Sequence, residues 1–459
     1  MPWSRRWLMW AIPTALFLIA FFHRPAPGVV AKELMQAFHA TGAIVGLLAA
    51  MYFYAYAALM IPAGLLIDAY GVRVVVAVGG AVMGLGALLM GLAPTTSLLF
   101  AGRFVVGLGA TVTFIGALKI AANWFPPSRF GTLSALTATA GVLGSLVATA
   151  PLAWLVSLVG WRGAFAAVGL ATLAGAALCA WLVRDHPEGA EAVAAPTPGL
   201  GAILAGMGTV LTNRHTWPPF LAFFFLYAAA GNLMLWVVPY LRDVYGLTTG
   251  TAAAYATATA TALLVTGPLT GLVSDHLVRR RKLPYTILTA VQCLILAIFV
   301  LTLGELTLGG VYLVLFSLGV VSGAFMLTWP IAREVNPPSL AGVAVAVVNL
   351  GGFLGAALTQ GPLGAVLDAH WAGVEVAGAR VYPVEAYRVA FGLCAASTLL
   401  STLLSLLIRE TRGRNVYTEL QNGVAAPAPA WPDRKEGQAS PVQAIFGEPE
   451  SGPAGPARQ

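Results

Sequence analysis

The sequence predicts an all-α membrane protein, with twelve transmembrane helices in two pseudo-symmetric six-helix bundles. Three observations lead there. Hydrophobic residues make up 58 % of the chain and charged residues 9 %, against about 25 % charged in an ordinary soluble domain. The apolar residues gather into runs near the ~20 residues that cross a bilayer. One segment also occurs twice. Residues 125–152 read FPPSRFGTLSALTATAGVLGSLVATAPL and residues 336–363 read NPPSLAGVAVAVVNLGGFLGAALTQGPL. At one constant offset Pro126, Pro127, Ser128, Gly131, Gly141, Leu143, Gly144, Pro151 and Leu152 fall on Pro337, Pro338, Ser339, Gly342, Gly352, Leu354, Gly355, Pro362 and Leu363. Two like-oriented halves place a path between them, near mid-membrane.

The expected spans are, in order, 7–30, 42–67, 73–92, 98–122, 131–158, 163–183, 216–240, 250–274, 284–303, 309–332, 340–367 and 386–408. The first is interrupted by Pro13, Pro25 and Pro27. The first half is expected over residues 1–183 and the second over 216–410. Residues 184–215 form a central link whose Pro187, Pro196 and Pro198 mark loop. Residues 411–459 are rich in Pro, Gly and Ala with no apolar period, and are expected to be a disordered cytoplasmic tail. Most arginines and lysines between spans fall on one side, among them Arg73, Arg129, the Arg279–Lys282 cluster, Arg333 and Arg409. The other side carries only Lys32, Arg103, Arg162, Arg242, Arg380 and Arg388. The first side is therefore expected to be cytoplasmic, with both termini inside a plasma or inner membrane.

Several classes drop out. The net charge of +7 is spread over short clusters between apolar runs, so no nucleic-acid partner is implied. Cys179, Cys293 and Cys394 lie within apolar runs without ligand spacing, so neither a metal nor a disulfide framework is implied. No phosphate-cradling G-xxxx-G-K-S/T loop is present, and the six histidines form no catalytic cluster. No cofactor, metal or catalytic residue is expected.

Motifs beyond hydropathy carry a resemblance. After the second span stands Gly64-Leu-Leu-Ile-Asp68-Ala-Tyr-Gly71-Val-Arg73, and the matching place in the second half reads Gly271-Leu-Val-Ser-Asp275-His-Leu-Val-Arg279-Arg280. The fourth span opens Arg103-Phe-Val-Val-Gly107-Leu-Gly109, and Trp161-Arg162-Gly-Ala-Phe165 precedes the sixth. Over residues 7–410 the chain resembles the major facilitator superfamily of secondary transporters. It departs in Ala69 and His276, where that family usually has a basic residue, and in Ala150-Pro151, where its antiporters have Gly-Pro. The resemblance implies alternating access between two rocking halves, without ATP, in a monomer surrounded by lipid. It gives Gly64, Asp68, Arg73, Arg103, Gly271, Asp275 and Arg333 gating or conformational roles. In physical terms, Gly64 and Gly271 permit close helix approach. Asp68 and Asp275 can accept hydrogen bonds from a neighbouring helix N-terminus when the cytoplasmic side closes.

An ionisable group at membrane depth costs about 2.5–3.5 kcal/mol on insertion scales and marks function by default. Arg24 and Lys119 are expected well inside spans, whereas the eighteen acidic residues fall in loops, helix ends or the tail. A cavity with fixed positive charge suits an anion, so the expected substrate is a small organic anion, a carboxylate or anionic metabolite. Arg24 is its charge anchor if the first helix runs past it; if the helix stops near Phe22, Arg24 reaches the headgroups instead. Lys119 is either an inner ligand or a lysine snorkelling to the membrane edge. Tyr52 and Tyr56 share one helical face, as do Asn232 and Trp236, and Asn349 and Gln360; these are the expected orienting residues. His23 is the candidate for proton coupling, because imidazole titrates near neutrality. Two other functions stay open. One is transport, in either direction, of a drug or siderophore-like compound; the other is a membrane sensor that binds without translocating.

Overall fold

The computed structural model describes residues 3–126, 129–187 and 200–421. Twelve helices in it are long and apolar enough to cross a membrane. The first half holds α1 (Trp3–Phe22), the short α2 (Ala26–Val29) and α3 (Ala31–Phe38), α4 (Gly42–Tyr70), α5 (Val72–Leu92), α6 (Thr96–Trp124), α7 (Phe130–Val147) and α8 (Ala150–Leu182). The second holds α9 (Leu200–Thr212), α10 (Trp217–Tyr245), α11 (Thr249–Leu272), α12 (Lys282–Leu301), α13 (Leu308–Val321), α14 (Thr328–Glu334), α15 (Ala341–Ala369) and α16 (Val384–Ser405). A two-stranded hairpin, β1 (Glu375–Val376) and β2 (Ala379–Arg380), lies between α15 and α16. An even number of crossings brings the α1 start and the α16 end to one face, here the terminal face. The hairpin lies at the opposite, loop face.

The first span, the central link and the start of the tail differ from expectation, whereas the fifth span keeps its expected extent. The first span breaks at residues 23–25 and resumes through α2 and α3 to Phe38. Pro25 and Pro27 supply no backbone N–H, and their rings crowd the preceding turn. The fifth span continues past α7 through the first part of α8 to Gly160, where a φ of +71° turns the chain into Trp161; glycine adopts that conformation without steric penalty. The central link, expected as loop, contains α9, which packs Val210 against Ala344 and Val347 of α15. At the start of the expected tail, Val416 donates its N–H to the Glu334 carbonyl, and Asn415 bonds the Arg333 and Asn336 carbonyls. Residues 422–459 of that tail lie outside the described residues.

The repeat is realised as one packing motif used twice. A Cβ on Gly144 would lie 2.0 Å from the Leu18 carbonyl oxygen, and one on Gly141 would lie 2.9 Å from the Phe17 ring. In the second half, a Cβ on Gly355 would lie 2.1 Å from the Phe224 carbonyl oxygen, and one on Gly352 would lie 2.3 Å from the Phe223 ring. Lipid offers no hydrophobic gain for joining helices, so close backbone approach through small residues supplies the van der Waals contact. Gly131 and Gly342, also duplicated, face open space.

Gly144→Val and Gly355→Val are each expected to cost about 1–3 kcal/mol by forcing packed helices apart. Gly131→Val should stay within about 0.5 kcal/mol of the parent. Thermal unfolding of the purified protein in detergent separates the two outcomes.

Candidate transport cavity and its two faces

The halves meet at the loop face. There α4 and α15 touch backbone to backbone: a Cβ on Gly46 would lie 2.1 Å from the Gln360 carbonyl oxygen, and one on Gly364 would lie 2.1 Å from that of Gly42. Asp368, at the end of α15, accepts the N–H groups of Gly42 and Ala43, both at 2.8 Å. Thr41 accepts the next amide, from Ile44. The N-terminus of α4, whose first amides have no partner within the helix, is thus capped by a carboxylate from the other half, which also meets its positive dipole. Tyr382 Oη (2.7 Å) and Arg380 (3.0 Å) donate to the same carboxylate. Beside it Lys32 pairs with Asp243 at 2.6 Å, both buried, and bonds the Arg380 carbonyl. Asp243 further accepts from Tyr387 Oη and the Tyr382 amide. Glu33 accepts from Arg242 and Thr249. Deeper in the membrane, Thr149 and Thr257 join the halves at 2.8 Å.

The terminal face is arranged differently. Asp68 pairs with Lys119 of its own half at 2.8 Å, and the Lys119 side chain is 46 % exposed. Gly64 and Gly271 have nothing within 4 Å of a Cβ position, so the close approach expected of them is absent in this conformation. Arg73 bonds the Ala180 carbonyl through Nε and Asp185 through its backbone N–H, again within one half. Asp275 pairs with Arg281, whose guanidinium also meets buried Glu334 at 3.3 Å. Arg333 is exposed.

Between the halves lies a cavity of about 240 Å³. Arg24 lines it from the break between α1 and α2. Its guanidinium lies 3.6 Å from the Phe21 ring centre, 5.1 Å from Phe353 and 5.4 Å from Tyr56. It donates to Tyr227 Oη at 3.3 Å, while its Nε has no partner. Ring faces attract a cation held out of water. Arg24 is the one Lys, Arg, Asp or Glu on the described wall, which is otherwise mostly aromatic and aliphatic with a few uncharged polar side chains.

The expected site residues divide. Arg24, Tyr56 and Asn349 stand together on the cavity wall. Tyr52 lies fully buried behind Tyr56, their rings 5.9 Å apart, and donates to the Ala20 carbonyl. Asn232 donates to Thr359 and the Ala228 carbonyl. Gln360 donates to the Gly231 carbonyl, and Trp236 is buried against Tyr382. Asn232 and Gln360 thus join α10 to α15. Lys119 lies at the terminal edge. His23 is buried beside Phe165, neither ring nitrogen bonded, outside the cavity wall. Arg103, expected at the loop side, is completely buried and donates to the His23 carbonyl at 2.6 Å. It satisfies a carbonyl freed by the α1 break and fixes that break to α6.

Sequence reasoning missed Phe21, Tyr227 and Phe353 around the guanidinium, and Asp368, Lys32 and Asp243 at the loop face. The aromatic residues were hidden among many others in apolar helices. Asp368 acts on amides more than 300 residues away, and no local pattern marks such a partner.

Two helical halves around a central cavity, joined at one face and parted at the other, define a membrane transporter. The chain belongs to the Major Facilitator Superfamily, whose family model matches residues 13–360. It is 25 % identical over 386 residues to the uncharacterized transporter YybO of Bacillus subtilis, covering 78 % of this chain and 87 % of that one. It is 23 % identical over 397 residues to the probable galactarate/D-glucarate transporter GudP of the same organism, covering 78 % and 86 %. Its fold matches a bacterial homologue of the human lysosomal transporter Spinster, solved in an inward-facing and occupied conformation, with a TM-score of 0.72 at 17 % identity over 89 % of this chain and 97 % of that one.

Asp368→Asn removes a charge-assisted contact worth about 1.5–3 kcal/mol, so the closed loop face should lose about tenfold or more in population. Distance distributions between spin labels at exposed Ser97 and Glu305 should broaden to longer separations. An unchanged distribution would show that the carboxylate does not hold this face.

Proposed function

We propose that the protein is a secondary transporter of a small organic anion, working by alternating access between halves at residues 1–183 and 216–410 that are joined by 184–215. The observation that carries this reading is Arg24. It is a buried guanidinium on the cavity wall with an unpartnered Nε, and no described carboxylate stands on that wall to neutralise it. A guanidinium presents a planar fork suited to carboxylate oxygens, and low polarity strengthens the attraction. Tyr56 and Asn349 are placed to orient the ligand. The likeness to a probable galactarate/D-glucarate transporter supports an anionic substrate.

In this reading the terminal face, which carries most interspan arginines, is cytoplasmic and the membrane is the plasma or inner membrane. The conformation described is then open to the cytoplasm. The Asp68–Lys119 pair holds the motif carboxylate in reserve until that face closes. Proton coupling is the finer part of the reading and rests on the family.

In proteoliposomes, Arg24→Ala should reduce uptake of a carboxylate substrate to background while the variant still elutes as a single species. Arg24→Lys keeps the charge without the fork and should cost about ten- to a hundredfold in apparent affinity. Uptake confined to cations and untouched by Arg24→Ala rejects the anion reading. An inward proton gradient should drive accumulation, with His23→Gln uncoupling it; gradient-independent exchange removes the proton part alone.

A further inference from the structure

The polar groups of the cavity are few, and most are already committed. Thr259 donates its hydroxyl to the Leu315 carbonyl and Ser322 to that of Leu318. Thr149 is bonded to both the Leu146 carbonyl and Thr257. The Asn349 carbonyl oxygen is taken by the Trp329 indole N–H at 3.0 Å. What remains is one cation at Arg24, the hydroxyls of Tyr56, Tyr227 and Ser145, the Asn349 amide, whose NH2 reaches only the Met60 sulfur at 4.0 Å, and the buried, unpartnered carbonyl oxygen of Gln292. The rest of the wall is ring and hydrocarbon, with Phe17, Phe21 and Phe114 from the first half facing Phe223, Phe325 and Phe353 from the second.

We propose that this cavity selects a monoanion with a flat apolar body, an aryl-substituted monocarboxylate, over polyhydroxylated diacids. The proposal deepens the anion reading above and rests on it. A diacid brings a second carboxylate into a wall with no second cation, and an unpaired buried charge is strongly disfavoured. A polyhydroxylated chain brings more hydroxyls than the few polar groups of this wall can pair, and each unpaired hydroxyl opposes binding. An aryl group instead meets ring faces and edges on both sides, the arrangement aromatic pairs prefer. Its carboxylate meets Arg24, the one cation on the described wall, and one polar substituent on the ring can be matched by the Asn349 amide. A predominantly apolar pocket with a few oriented polar groups is the usual form of a small-molecule site.

The test uses the full chain in proteoliposomes with labelled phenylacetate and 3-phenylpropionate, and with unlabelled benzoate, phenylbutyrate and glucarate as competitors. The expected result is saturable aryl-acid uptake, competed at least tenfold more strongly by aryl monocarboxylates than by glucarate. It is lost in Arg24→Ala and weakened at least fivefold in Phe114→Asn, at unchanged melting temperature. If labelled glucarate is carried in an Arg24-dependent manner and aryl acids do not compete, the monoanion class is overturned and the anion reading stands. If uptake of every probe ignores Arg24→Ala, the anion reading itself falls. If no aryl acid is carried or shifts the melting temperature of the purified protein, the aryl proposal is overturned.

Discussion

A guanidinium held away from water governs the centre of this molecule. It cannot lose its charge at any ordinary pH, so the surroundings must accommodate it. The accommodation is aromatic: Phe21 on one side, Phe353 and Tyr56 further round, and a single hydroxyl from Tyr227. Rings offer their electron-rich faces but no formal negative charge, which leaves the cation attractive to an incoming anion. A carboxylate in their place would have satisfied Arg24 permanently. The break at residues 23–25 puts the charge at depth, and Arg103 holds the break by binding the His23 carbonyl. The proposed substrate sign rests on this arrangement.

The two faces use a related device in different states. At the loop face, a carboxylate at the end of one half's helix caps the N-terminus of a helix in the other, and glycines let the backbones touch. At the terminal face, a carboxylate also stands at a helix end, but it is occupied by a lysine of its own half, and the glycines beside it have open space. Helix termini supply unsatisfied amides and a partial positive charge wherever a chain turns back into the membrane. Acidic side chains are therefore natural latches, made or broken by rigid-body movement without any change in the helices themselves.

The architecture was legible because it follows from solvent and repetition. Apolar runs near the bilayer span located the twelve crossings, and the duplicated Gly141, Gly144, Gly352 and Gly355 turned out to be one helix-packing solution used in each half. Arg24 could be singled out because charge in hydrocarbon is rare enough to be informative alone. Most of its neighbours could not. A helical sequence shows which residues share a face but not which face meets the cavity. Tyr52 and Tyr56 shared a face, yet one lies behind the other. Asn232 and Gln360 were sound guesses for polar groups at depth, but they found partners in adjacent helices, and Trp236 is buried against Tyr382. Arg103 was placed by hydropathy near a span end; only the packing of α6 against the break in α1 buries it completely. The first span was judged too short because its path continues beyond the prolines, where periodicity no longer follows a single helix.

Arg24 and Phe21 belong to the first half, whereas Tyr227 and Phe353 belong to the second. Any relative rotation of the halves moves Tyr227 and Phe353 relative to the cation and leaves Phe21 and Tyr56 beside it. The electrostatic environment of the cation is consequently a function of posture: it is ringed by both halves in one geometry and by its own half alone in another. In the proposed alternating access, grip and release would need no separate machinery, since the motion that moves the opening from one side to the other would also retune the attraction at the centre.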